Sequence, residues 1–157
     1  MGGEFGQFIE WNEWKELDWF LLDYDKHKEM QTYVSELNKF YKANSELFEL
    51  DSEAKGLNWI EHDNANESIL IFERLNKDGD KIICAFNFTP IERVNYPIGV
   101  DEAGIYRTLM SSDRVRYGGN TIRVKTYRTL EEEYHGRKYG LRVSIPPLSA
   151  IFLKFSK

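Results

Sequence analysis

The residues best suited to chemistry crowd into the first two dozen positions. Trp11, Trp14 and Trp19 account for three of the four tryptophans, set among Glu10, Asn12, Glu13, Glu16 and Asp18 and preceded by Gly2, Gly3 and Gly6. Indole faces beside hydrogen-bonding carboxylates suit a sugar ring, whose C–H face stacks on the indole while its hydroxyls need acceptors. The glycines allow sharp turns and close backbone approach to a ligand, because a residue without a Cβ takes positive φ at little cost. The bland alternative is half-buried aromatic packing against a neighbouring element. Glycosidic chemistry with retention needs two carboxyl groups about 5 Å apart. Glu10, Glu13 and Glu16 could line one side of a turn, and Glu131, Glu132 and Glu133 form a second cluster, but a solvated acidic face explains each better. His27, His62 and His135 are far apart and show no paired spacing, so they signal neither a metal site nor a Cys/His nucleophile. Cys84 sits in the apolar run Ile82–Phe86 and reads as a small buried hydrophobe. The run Gly2-Gly3-Glu4-Phe5-Gly6 is not a dinucleotide fingerprint, lacking both the spacing and the strand before it.

Two kinds of element must position these groups. Met30, Tyr33, Val34, Leu37 and Tyr41 follow helical spacing, widened by Phe40, and Lys28, Glu29, Glu36 and Lys39 occupy the other side. The pattern predicts an amphipathic helix over about 26–43, about 27 Å long at the standard rise, with Asp23 and Asp25 near its positive end, Asn44 ending it and Ser45 capping a short following turn. From Gly56 the period becomes extended. Strands are predicted over 57–62, 68–75, 81–88, 95–100, 105–111, 121–129, 141–145 and 149–155, with a hairpin turn at Asp78-Gly79 and a break at Pro146-Pro147. In the 121–129 segment Ile122, Val124 and Thr126 alternate with Arg123 and Lys125, as a strand with one wet face would. Short strands with no helix between them argue for a mainly β chain, an antiparallel sandwich. An apolar helix stripe must fold onto that sandwich, pair with a second copy, or fray.

The chain has 157 residues and a formal net charge of −5, unevenly placed. Residues 1–64 hold 6 basic against 15 acidic side chains, and residues 65–157 hold 15 against 11. Nothing resembles the cationic footprint of a nucleic-acid binder. One cysteine cannot form an intramolecular disulfide, and no stretch has the length of a membrane span, so a cytoplasmic protein is expected.

Met1-Gly2-Gly3-Glu4-Phe5-Gly6-Gln7, Glu10-Trp11-Asn12, Leu17-Asp18-Trp19 and Leu21-Leu22 resemble the segment after the last barrel strand of bacterial 1,4-α-glucan (glycogen) branching enzymes, in the α-amylase superfamily. Tyr33-Val34, Leu37-Asn38 and Tyr41 resemble that family's final barrel helix. Asn87-Phe88-Thr89-Pro90, Arg93, Tyr96, Ile98-Gly99-Val100, Ser112-Asp113, Tyr117-Gly118-Gly119 and Pro146-Pro147-Leu148 resemble its C-terminal β-domain. The resemblance implies a division into 1–55, the end of a (β/α)₈ barrel with its site loop and last helix, and 56–157, an all-β domain. It implies a parent enzyme that transfers α-1,4 glucan chains to a 6-hydroxyl without metal or cofactor, through an Asp nucleophile, a Glu acid/base and a further Asp. None of these maps onto the chain, which is expected to be inactive alone. Implied partners are α-glucan and the upstream catalytic barrel, with self-association through the helix as a further possibility. Trp11 and Trp19 are the implied glucan-packing residues, with Glu10 and Asp18 as polar partners; their competing role is to pin the barrel to the β-domain. Two rivals are an independent carbohydrate-binding or structural sandwich, and the tail of another amylase-superfamily hydrolase.

Overall fold

The stripe that begins at Met30 does form a helix: in the computed structural model, which describes residues 1–156, α1 runs from Asp25 to Ala43. Asp25 in its first turn and Lys42 in its last carry the signs that the helix dipole favours. Asn44 ends it, the backbone N–H donating to the Tyr41 carbonyl and Nδ2 donating to the Phe40 carbonyl at 2.7 Å. Two carbonyls that would otherwise lack partners are thereby satisfied. Ser45 does not cap the next turn. It is the first residue of the 3-10 turn Ser45–Leu47, and its hydroxyl accepts from Asn76 Nδ2 at 3.1 Å.

Eight strands follow: β1 (Leu57–Glu61), β2 (Ile69–Leu75), β3 (Lys81–Asn87), β4 (Arg93–Val100), β5 (Ile105–Ser111), β6 (Thr126–Arg128), β7 (Tyr139–Ile145) and β8 (Ser149–Ser156). They form a six-stranded sheet ordered β1-β2-β3-β8-β5-β6 and a two-stranded sheet, β4-β7, with every strand pairing antiparallel. Between the sheets, Ile71, Ile83, Ala85, Ile151 and Leu153 meet Ile98, Val100, Leu141, Val143 and Ile145. On the opposite face, Ile82, Cys84, Met110 and Phe152 pack against Tyr33, Leu37 and Phe40 of α1 and against Leu47. Strand β3 is thus covered on both sides, which is why its sequence is an unbroken apolar run. The helix folds onto the sandwich with only part of its stripe. Met30 and Tyr41 remain 39% and 44% exposed.

The strand expected over 121–129 shrinks to Thr126–Arg128, and Ile122 is 76% exposed. The cause lies in β5, whose pairing with β8 bulges between Thr108 and Met110, while its ladder with β6 stops at Arg107. A bulge bends its strand away from a straight ladder. Residues 121–125 are tied instead by Thr121, bonded to Asp113, and by the Lys125 carbonyl, which accepts from Thr108 N–H at 3.0 Å.

Several motifs prove to be fasteners. Asn87, buried, accepts from the N–H and hydroxyl of Thr89 and donates to the carbonyls of Ile91 and Pro146, binding the β3–β4 connection to the β7–β8 turn. Tyr117 donates its hydroxyl to Glu36 of α1 at 2.6 Å and sets its ring against Tyr33 at 5.3 Å. Gly118 follows at φ 82°, a conformation that favours glycine, and its Cα faces the ends of the Glu29 and Lys26 side chains of the helix. Beyond the helix, buried Glu46 pairs with Lys154 of β8, and Arg74 of β2 bonds Asp51 at 2.6 Å.

Candidate functional site

The tryptophan-rich segment folds as a loop seated on the first turn of α1. Gly2 and Gly6 take φ of 88° and 73°, and between them Gly3–Phe5 make one 3-10 turn that drives the Phe5 side chain inward until it is fully buried. The Phe5 ring lies 5.2 Å from that of Trp19, and its carbonyl accepts a bond from His27 Nδ1 at 2.7 Å. A carbonyl can only accept, so the His27 proton resides on Nδ1. Phe8 stands edge-on to the same imidazole.

From this base, residues 7–18 run out and return. The neck is closed by Gln7, whose Oε1 accepts from Asp18 N–H at 3.0 Å and whose Nε2 donates to the Ile9 carbonyl at 3.1 Å. At the tip, Asn12 Oδ1 accepts from Trp14 N–H at 2.9 Å and the Asn12 carbonyl accepts from Lys15 N–H, a side-chain-supported turn. This turn projects Trp14, 86% exposed, with Trp11 at 44%. A return over residues 19–23 buries Leu21 and leaves an open apolar hollow of about 630 Å³ lined by Phe8, Phe20, Tyr24 and His27.

The four expected ligand residues therefore separate. Glu10 and Trp11 lie on the exposed limb of the loop; Asp18, half-buried, and Trp19 form its neck. Trp19 packs on Phe5, and among the described residues no ring contact joins it to Trp11. Glu13 and Glu16 are exposed, as are Glu131, Glu132 and Glu133. Sequence reasoning missed the parts that hold the loop: Gln7, Phe5 and His27. Nothing in their spacing marks them, since each acts across a fold-dependent gap.

Carboxylates converge in two places elsewhere. Glu61 and Glu67 both accept from Asn64 Nδ2, at 2.8 and 2.9 Å, and Tyr96 donates to Glu61 at 2.7 Å. Burial, then this bond to Glu61, raises the Tyr96 phenol well above its ordinary range. Glu73 accepts both bonds of a bidentate Arg137, at 2.7 and 2.9 Å, with Asp101 beside it. Burial alone would lower the Arg137 pKa, and Glu73, with Asp101 and Tyr106 adding to it, more than reverses that effect. Glu61, Glu67 and Glu73 are thus each engaged by a donor of the fold itself, Asn64, Tyr96 or Arg137.

A second aromatic surface crosses the outer sheet beside α1. Trp59 of β1 meets Phe72 of β2 at 5.5 Å, Phe72 stacks on Phe86 of β3 at 5.6 Å, and Phe86 on Phe88 at 6.2 Å. Trp59 and Phe88 are 51% and 61% exposed. Strand pairing brings Trp59, Phe72 and Phe86 together, and Phe88 extends the row two residues further along the chain.

The profile described as "Alpha amylase, C-terminal all-beta domain" matches residues 59–156. Over 156 residues, 98% of its length, the chain is 48% identical to the "1,4-alpha-glucan branching enzyme GlgB" of Halothermothrix orenii. It is 42% identical over 161 residues to the protein of that name from Francisella philomiragia, and 42% identical over 152 residues to "1,4-alpha-glucan branching enzyme GlgB 1" of Clostridium perfringens strain 13. These alignments cover 25%, 25% and 23% of the relatives, so the chain spans about a quarter of the length of the curated proteins it matches. Among solved structures, the pullulanase SAP of Group B Streptococcus superposes with a TM-score of 0.51 at 16% identity, over 90% of this chain and 18% of that one; the likeness is one of fold.

Proposed function

Because this chain belongs to the family of the alpha-amylase C-terminal all-beta domain, we propose that it serves a 1,4-α-glucan branching enzyme, which moves α-1,4 glucan chains to 6-hydroxyls and so builds α-1,6 branches in glycogen. One observation carries the reading: identity of 48% extends over 98% of the chain and so takes in the tryptophan loop and α1, which lie outside the family match. In this reading residues 1–55 close a (β/α)₈ barrel, residues 56–157 are its all-β companion, and the whole acts in the cytoplasm. The chain's own share is binding. Trp11 offers an indole face to a glucose ring and Glu10 an acceptor to its hydroxyls, while Asp18 and Trp19 fix the neck beneath them. The reacting carboxylates are assigned outside these residues, because the carboxylates that converge here are taken up by bonds to Asn64, Tyr96 and Arg137 that hold the β-domain together. Incubated with amylose, the chain is expected to leave the iodine spectrum unchanged. Falling absorbance accompanied by new α-1,6 linkages would refute that assignment.

The exposed aromatic row favours a second reading, in which the sandwich itself holds glucan at Trp59. Native electrophoresis through glycogen separates the two. Retardation lost in Trp11→Ala assigns binding to the loop, retardation lost in Trp59→Ala assigns it to the row, and an unretarded chain counts against both.

A further inference from the structure

We propose that Gln7 is a positioning residue, its carboxamide latching the neck of the 7–18 loop so that Trp11 and Trp14 are presented to a glucan chain in one fixed arrangement. The inference rests on the reading of this loop as a glucan contact. Three observations lead to it. First, the Gln7 side chain spans the loop's two ends, accepting from Asp18 N–H at 3.0 Å across eleven residues, and also donates to the Ile9 carbonyl on the outgoing limb. Its two ends thus grip both sides of the neck.

Second, the backbone is shaped to receive that side chain. Gly2 at φ 88° lies under Gln7, where an added Cβ would come within 2.8 Å of both Gln7 Cβ and Gln7 Oε1. The Gly2 carbonyl accepts the Gln7 N–H at 3.0 Å, so main chain and side chain of Gln7 are both held. Third, the part of the loop beyond the neck has little else to fix it. Between Ile9 and Glu16 every residue is exposed, and the bonds within it are the local turn at Asn12. A loop whose two ends are held together explores fewer conformations than one whose ends are free, so the neck sets the frame from which the Asn12 turn projects. Two tryptophans stack on a glucan chain at lower ordering cost when their separation is fixed before binding.

The test uses the whole chain and three substitutions. Gln7→Ala removes the latch, Gln7→Met keeps the bulk without an acceptor, and Gln7→Glu keeps the acceptor for Asp18 N–H, the bond across the neck, while giving up the local donor to Ile9. Amide exchange at Asp18 reads the latch directly. It is expected to speed up by about tenfold or more in Gln7→Ala and Gln7→Met and to stay slow in Gln7→Glu. Electrophoresis through glycogen reads the consequence: retention falls at least about fivefold in the first two variants and survives in the third, with melting temperature unchanged throughout. Unaltered Asp18 exchange in Gln7→Ala would overturn the latch whatever the binding result. Faster exchange with full retention would overturn the positioning role. A parent chain that glycogen does not retard at all would bring down the glucan reading, and the positioning role with it, while slow Asp18 exchange still showed the latch to be real.

Discussion

Phe40→Ala, set beside Met30→Ala, asks whether α1 rests on the sheet by the face described above. Phe40 is half-buried, its ring 5.1 Å from that of Phe152 over the outer core, whereas Met30 is 39% exposed and belongs to neither core cluster. Truncating a fully buried phenylalanine to alanine costs about 3–5 kcal/mol. Half of that applies here, about 2 kcal/mol, and the better helix propensity of alanine returns about 0.5. The net loss of roughly 1.5 kcal/mol corresponds to a fall of about 3–6 °C in a domain of this size. Met30→Ala, with little packing to lose, is expected within about 0.5 kcal/mol of the parent. Thermal unfolding followed by circular dichroism at two protein concentrations measures both. Equal losses for the two variants, or a melting temperature that climbs with concentration, would mean that the exposed side of the stripe is covered by a second copy and would refute the reasoning.

Arg137→Ala should destabilise the sandwich by about 3 kcal/mol in urea titration, since it strands Glu73, whose side chain is 3% exposed, as a buried charge without its partner. A loss under about 1 kcal/mol would show that water reaches Glu73. Burial pushes the Cys84 thiol up to about 12. A folded value above the unfolded one contributes stability that is full below the ordinary thiol range and is lost as pH rises through it toward 12. Native protein at pH near 8 should therefore resist aromatic disulfide reagents and react only when denatured. Rapid labelling of the native chain would disprove that burial.

The helix and seven of the eight strands were legible because their periods are local: α1 from spacing that begins at Met30, β3 from a run buried on both faces, the β2–β3 hairpin from Asp78-Gly79. The alternation over 122–126 was equally regular and yet misled. What decides whether such a run pairs is a bulge in another strand, at Thr108 and Met110, invisible from the run itself. The unequal layers, six strands against two, were hidden for a related reason: β8 inserts between β3 and β5, a pairing over long sequence distances. At the candidate site, residue type marked the tryptophans, but not which of them packs. Trp19 and Trp11 look alike in sequence and are similarly exposed, at 50% and 44%; what separates them is the buried Phe5 ring, 5.2 Å from Trp19, which ties that indole to the base of the loop.

That difference ties the sandwich to the loop. His27, in the first turn of α1, holds Phe5 and with it the base on which the neck stands. Farther along, Tyr117 grips Glu36, and past the helix end Glu46 is fastened to Lys154 in the middle of the six-stranded sheet. One tie on the helix and one just beyond its end, with Tyr33, Leu37 and Phe40 packed between helix and sheet, hold α1 against the sandwich. The position of the tryptophans is thus inherited from the sheet through a series of packed and hydrogen-bonded contacts in which no glucan takes part. On the proposed function this gives the β-domain a purpose: it is the fixed frame against which a solvent-exposed loop, closed at its neck by Gln7 and by the Phe5–Trp19 contact, is presented.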